Sequence, residues 1–207
     1  MAISAEMVRK LREETGAGMM DCKSALVEAE GNTEKARDLL RKKGLATAAK
    51  KAGRATSEGV VGSYIHPGAK VGVLIEIDCE TDFVAKTPEF QTLVKDLAMH
   101  VAAGSPAVPR YVAKDEVPED VLAKEKEIYK AQAASQGKPE NVAEKIAEGK
   151  LKEFYQTFCL LEQPYVKDGK MTVGQLIQEK IALIRENIVV RRFARFRVGE
   201  DLGPTSA

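Results

Sequence analysis

Apolar residues recur at two different periods along this chain, and the change of period divides it. At the start the spacing is helical. Ser4 stands as an N-cap, with Ile3 and Val8 at the two positions of a hydrophobic staple. Val8 and Leu11 continue an apolar stripe that Gly16 ends. After the loop Gly16-Ala17-Gly18, a second helix is predicted from about Met20 to Glu30, with Cys22, Ala25, Leu26 and Ala29 on one face and Gly31 as its stop. Asn32 or Thr33 caps a third. It turns Ala36, Leu39 and Leu40 inward, gathers Arg41, Lys42 and Lys43 in its last turn, and is expected to end at Gly44. Leu45 to Glu58, rich in Ala and Lys and without an aromatic residue, suits a solvated helical linker. A three-helix domain over residues 1–55 follows.

The period then falls to two. Gly59–His66 and Lys70–Asp78 flank Pro67-Gly68, the pattern of two antiparallel strands joined by a short turn, with Val71, Val73, Ile75 and Ile77 on one face. Thr87-Pro88-Glu89 opens a helix on which Phe90, Leu93, Val94, Leu97 and Val101 repeat at helical spacing, so this helix should pack on the sheet. Two weakly amphipathic helices are expected from Pro118 to Ser135 and from Pro139 to Tyr155. The chain then supplies a strand at Phe158–Glu162, a turn at Asp168-Gly169, a short helix near Val173–Lys180 and a strand from Ile188 to Val198. Residues 56–207 therefore read as an α+β core domain, an antiparallel sheet with packed helices.

Composition narrows the function. Thirty-two Lys and Arg against 31 Asp and Glu leave a net charge of +1, so the whole molecule is not steered toward nucleic acid or an anionic membrane. Cys22, Cys79 and Cys159 form neither a CxxC pair nor an even framework and read as reduced thiols, with no zinc site. No apolar run of about 18 residues appears, and the first residues carry charges where a signal peptide needs apolar ones, so a soluble cytoplasmic protein is expected.

Candidate chemistry is sparse. Arg191, Arg195 and Arg197 share one face of the last strand with Val189 and Phe193. That face suits single-stranded nucleic acid or, more simply, a solvated edge whose charge deters aggregation. Asp78, Glu80, Asp82 and Glu89 match positions 1, 3, 5 and 12 of a calcium loop, but Phe83 stands where that loop needs glycine and a strand replaces the entering helix. What remains is an acidic residue beside a large aromatic, Asp82-Phe83, between a strand and a well-capped helix. Either Phe83 is presented for binding or it covers the sheet end. His66 and His100 lie in no nucleophile-elbow or HExxH context, and no phosphate-binding glycine loop is present, so nucleotide hydrolysis and other covalent chemistry are disfavoured.

Two longer stretches add a resemblance. Thr15-Gly16-Ala17-Gly18-Met19-Met20-Asp21-Cys22-Lys23 with Ala25-Leu26, and Cys79-Glu80-Thr81-Asp82-Phe83-Val84-Ala85-Lys86, are similar to the two signatures of the elongation factor Ts family. Further matching stretches are Ser63–His66, Val71–Leu74, Ala98–Ala103, Glu162–Val166 and Glu186–Ile188, in family order over nearly the whole chain.

The resemblance implies a guanine nucleotide exchange factor for elongation factor Tu, with no cofactor or bound metal of its own. It also implies an amino-terminal domain like a ubiquitin-associated domain that contacts the GTP-binding domain of the partner. Met19 and Met20 are the positions carried over for that contact, and exposed methionine suits an adaptable surface. At least one of the pair is expected to fill the small core. Thr81, Asp82, Phe83 and Val84 would form the motif that enters the partner near its magnesium, with Phe83 as a wedge. His66 matches a position near the partner's phosphate-binding loop. Weakening the metal lowers nucleotide affinity, and GTP rebinding then expels the factor. Longer family members hold two core subdomains where this chain has one, so a homodimer carrying two partner molecules is expected. The cysteine that links some short-form dimers is replaced here by Ala194. Direct nucleic-acid or membrane binding is not expected.

Overall fold

A computed structural model describes residues 3–200. By proximity they form two compact units. The first comprises the described residues up to Gly59 with Asp78–Glu89 and Leu176–Val189. The second comprises Val60–Ile77, Phe90–Gln175 and the described residues from Val190 onward. The fold is α+β.

Helices α1 (Ala5–Thr15), α2 (Met19–Glu28) and α3 (Thr33–Lys51) begin the first unit. Ser4 Oγ accepts from Met7 N at the start of α1, and Gly16, at φ 67°, ends it in the left-handed region that a non-glycine residue enters only at a cost. The core is formed by Val8, Leu11, Cys22, Leu26 and small residues including Ala25 and Ala36. Leu39 and Leu40 pack against it from α3, as their spacing predicts.

The third helix corrects the sequence reading. It runs through Gly44 to Lys51, and Ala48, placed in a solvated linker by composition, is buried. Gly44 is a close-approach residue, because a Cβ there would meet the Ala182 Cβ at 3.2 Å. A glycine needed for packing looks, in sequence, like a glycine that stops a helix.

Strands β1 (Glu58–Ile65) and β2 (Val71–Cys79) form the expected hairpin, closed by His66 N donating to Val71 O. The one-turn helix α4 (Asp82–Ala85) follows, and then α5 (Pro88–Ala103). Phe90, Leu93, Val94, Leu97 and Val101 of α5 are buried, as are Val73, Ile75 and Ile77 of β2. A Cβ on Gly62 would lie 2.1 Å from Val94 Cγ1, so glycine in β1 lets α5 settle on the sheet.

Two long helices, α6 (Glu119–Ser135) and α7 (Glu140–Phe158), pack together as a hairpin. The strand expected at Phe158–Glu162 is absent. The stripe Phe154, Tyr155 and Phe158 keeps the chain helical to Phe158, Cys159 makes only an isolated bridge to Tyr111, and Leu160–Glu162 forms a 3-10 turn. A short apolar run does not distinguish a strand from the end of a buried helix. Strands β3 (Pro164–Tyr165) and β4 (Asp168–Thr172) pair antiparallel, Tyr165 opposite Asp168, so the reversal lies at Val166-Lys167 and not at Asp168-Gly169.

Helix α8 (Val173–Ile184) is longer than predicted. It opens on a capping box in which Thr172 N donates to Gln175 Oε1 and Gln175 N to Thr172 Oγ1. The last strand, β5 (Ile188–Arg197), lies beside β2 in the sheet order β1-β2-β5.

Candidate functional site

Strand β2 ends at Cys79, and the chain must turn at once into α4. Thr81 sits in extended backbone (φ −131°, ψ 152°), and its Oγ1 accepts from Val84 N at 3.4 Å, capping the single helical turn. Cys79 Sγ donates to Thr81 O at 3.2 Å beneath it. The turn buries Ala85 and leaves Phe83 79% exposed, so Phe83 does not cover the sheet end. Asp82 leads α4, and its Oδ2 accepts from Lys86 Nζ at 2.7 Å. That hydrogen bond holds the Asp82 carboxyl below its ordinary range. Both side chains are largely open to water, so the pair is easily exchanged for another cation.

One turn of helix cannot hold itself, and two residues over a hundred positions away brace it. Glu186 Oε2 accepts from Glu80 N at 3.1 Å and Thr81 N at 3.0 Å, while its Oε1 accepts from the Thr81 hydroxyl at 2.7 Å. The contact is reciprocated. Asn187 N donates to Glu80 Oε1 at 2.7 Å, and Asn187 Nδ2 donates to Arg54 O at 2.9 Å. The bond from Asn187, and then Arg54 nearby, keep the Glu80 carboxyl below its ordinary range. Burial, and then the Glu186 charge, push the Cys79 thiol up, so it stays protonated under the turn. Hydrogen bonds to a charged acceptor contribute about 1.5 to 3 kcal/mol each, toward the lower figure here because Glu186 is only half-buried.

The same connector reaches α2. Arg185 Nη2 lies 3.3 Å from Asp21 Oδ2, and Gly16 stands against Leu183. Arg185 itself is left-handed at φ 64°, and its carbonyl accepts from Lys51 Nζ. Met19 and Met20 are 53% and 70% exposed. The expectation that one of them fills the core is thus not met: Met7 and Ala17 pack there alongside the buried Cys22, Ala25 and Leu26. Unlike α4, α2 has no side-chain cap, since Gly18 holds its N-terminal position.

His66 belongs to the second unit, exposed at the β1–β2 turn with Nδ1 3.1 Å from the Tyr64 hydroxyl. His100 is fully buried. Its Nδ1 accepts from Val166 N at 3.2 Å, so Nε2 carries the proton and donates to Gln163 Oε1 at 3.0 Å. Burial pushes its pKa down, as for a packed residue. Arg195 is spent on Glu200, with both carboxylate oxygens 2.9 Å from Nη1, so the three arginines do not form one open basic face. An open groove of about 550 Å³ is lined by Ile65, Leu74, Phe196 and Val198, all exposed. The three cysteines are free and buried. Among the described residues no group of three or more His, Cys, Asp and Glu could hold a metal, and no helix is long and apolar enough to cross a membrane.

Glu186 and Asn187 carry no recognisable local signal. Their only trace in sequence is that Glu186–Ile188 is one of the matching stretches, an acid and an amide between a helix and a strand where neither periodicity requires them, whereas Glu80 stands inside the second signature with no sign of its bond to Asn187.

The sequence model described as Elongation factor TS matches residues 5–200. The elongation factor Ts of Moorella thermoacetica is 62% identical over 200 residues, covering 97% of this chain and 97% of its own. That of Caldanaerobacter subterraneus is 58% identical, covering 97% and 98%, and that of Geobacter metallireducens 59% identical, covering 98% and 92%. The signatures around Met19 and Phe83 both lie inside the matched span, and the chain belongs to the elongation factor Ts family.

Proposed function

We propose that the chain is a cytoplasmic guanine nucleotide exchange factor for elongation factor Tu in translation elongation and performs no covalent chemistry. The observation that carries this reading is Phe83, a large aromatic held 79% exposed on a turn braced by a carboxylate, beside the acidic Asp82. A rigid apolar group costs little entropy to insert into a partner. Phe83 wedges near the magnesium of the GDP complex, Thr81 and Val84 set its angle, and Asp82 exchanges Lys86 for a group of the partner. Magnesium then loses its supports and GDP its affinity. The factor binds the nucleotide-free state best and stays until GTP rebinds, because coupling between two ligands of one protein is reciprocal. Met19 and Met20 dock on the GTP-binding domain, and His66 makes a second contact.

In this proposal residues 1–55 act as the docking domain and 56–207 as the exchange and dimerisation core, without direct contact to nucleic acid or membrane. The groove between Ile65, Leu74 and Phe196 suits a second copy of the chain, which brings the same apolar patch through a two-fold axis.

The test is release of fluorescent GDP from purified elongation factor Tu. The chain is expected to accelerate release in proportion to its concentration and then to saturate. Release at the uncatalysed rate would remove the assignment. Light scattering checks the dimer, which predicts twice the 22.6 kDa chain mass.

A further inference from the structure

Resting on that reading, we propose that Glu186 is a positioning residue for exchange: its carboxylate, with three hydrogen bonds to Glu80 and Thr81, fixes the angle at which Phe83 is presented. Phe83 touches the protein too little to be oriented by its own packing, so its direction is set by the backbone of α4. That helix is four residues long, and its cap, Thr81, accepts from Val84 N while its hydroxyl proton goes to Glu186. Removing the carboxylate leaves Thr81 N and Glu80 N without acceptors and lets the Thr81 hydroxyl rotate away from its capping orientation. A wedge displaced by a fraction of an ångström loses much of its effect on the groups it must displace in the partner.

Glu186 also sits between two candidate contacts. Its neighbour Arg185 reaches Asp21 at the start of α2, and Asn187 reaches Glu80. The segment from Leu183 to Asn187 thereby ties the Met19-Met20 surface to the Phe83 turn within one unit. Partner binding through α2 and wedging through α4 thus draw on one connected segment, firmly bonded at the α4 end and loosely at the α2 end.

The experiment compares the full chain with its Glu186→Ala, Glu186→Gln and Thr81→Val variants, alone and combined with Phe83→Ala, in GDP release from elongation factor Tu over a range of factor concentrations. Glu186→Ala is expected to lower the saturating rate roughly tenfold while shifting the half-saturating concentration by less than about twofold. Glu186→Gln keeps most of the rate, since one amide oxygen can accept both backbone N–H groups and the amide nitrogen can donate to Thr81. In the Phe83→Ala background Glu186→Ala should add no further loss, because the group it orients is gone. A folded Glu186→Ala variant with the parent's saturating rate, or losses that add with Phe83→Ala, overturns the proposal and leaves the exchange reading standing. A folded Phe83→Ala protein with the parent's rate overturns both. Should Glu186→Ala fail to fold, Thr81→Val decides: it removes the 2.7 Å bond and the cap but neither backbone bond, and a parent-like saturating rate there overturns the proposal.

Discussion

Two exposed apolar features of the first unit, Phe83 and the Met19-Met20 pair, are built in opposite ways. Phe83 stands on a single helical turn with a side-chain cap and a buttressing carboxylate from a distant segment. Met19 and Met20 stand on a ten-residue helix that opens on glycine and has no side-chain cap. The first arrangement fixes a direction. The second provides area that can adapt, because methionine has three rotatable bonds and a polarisable sulfur. A surface that must find a partner tolerates adjustment, whereas a group that must displace something inside a partner has to be stiff. The proposed division of labour between docking and wedging agrees with how each residue is supported.

The contrast can be broken most sharply at Phe83 itself. Phe83→Ala is expected to reduce saturating exchange on the order of a hundredfold, the loss typical of a truncated aromatic hot spot, with a melting temperature within about 2 °C of the parent. Stopped-flow GDP release and a thermal melt measure the two. Next in size, Met19→Ala with Met20→Ala should raise the half-saturating concentration roughly tenfold and leave the saturating rate alone, while Met20→Leu changes either by less than about threefold. If the double variant instead slows the saturated rate, docking and wedging are not separate.

A third outcome concerns a polar network that is packed rather than presented. His100 is held neutral between Val166 N and Gln163, with Tyr165 bonded to Asp96 and Lys167 paired with Asp96 close by in the same unit. Its pKa is depressed in the folded chain. The unfolded state therefore binds more protons as pH falls below about 6.5, and stability is lost from there down to the folded pKa, by at most about 1.4 kcal/mol per pH unit. Thermal melts from pH 7 to 5 should show that decline, and a His100→Gln variant should flatten it. The smallest effect is expected at Lys86. Lys86→Ala removes an exposed pair that the proposed contact would exchange, so exchange should change by less than about threefold. A large loss would mean that Lys86 orients Asp82.

Most of the fold was readable because it is written locally. Ser4 and Asn32 cap helices, the stripe from Phe90 to Val101 faces the sheet, and Pro67-Gly68 turns the hairpin, each within a few residues of its cause. The failures share a physical origin. Gly44 is small because Ala182 is near it, and Phe158 stays helical because its neighbours on α7 are aromatic and packed. Of the candidate site, the presented residues were legible as a pattern and their support was not. Thr81 and Glu186 are bonded at 2.7 Å but separated by 105 positions, and no local period announces such a pair. Nor does spacing report exposure, which is why at least one of Met19 and Met20 was expected inside.

The central claim is that Phe83, held stiff, drives nucleotide release. Its most direct test is the saturating rate of GDP release from elongation factor Tu with the folded Phe83→Ala chain, beside the parent and the Met19→Ala, Met20→Ala double variant. A saturating rate on the order of a hundredfold below the parent's is expected for Phe83→Ala, and the parent's rate at higher concentration for the methionine pair. A folded Phe83→Ala chain that releases GDP as fast as the parent would contradict that claim.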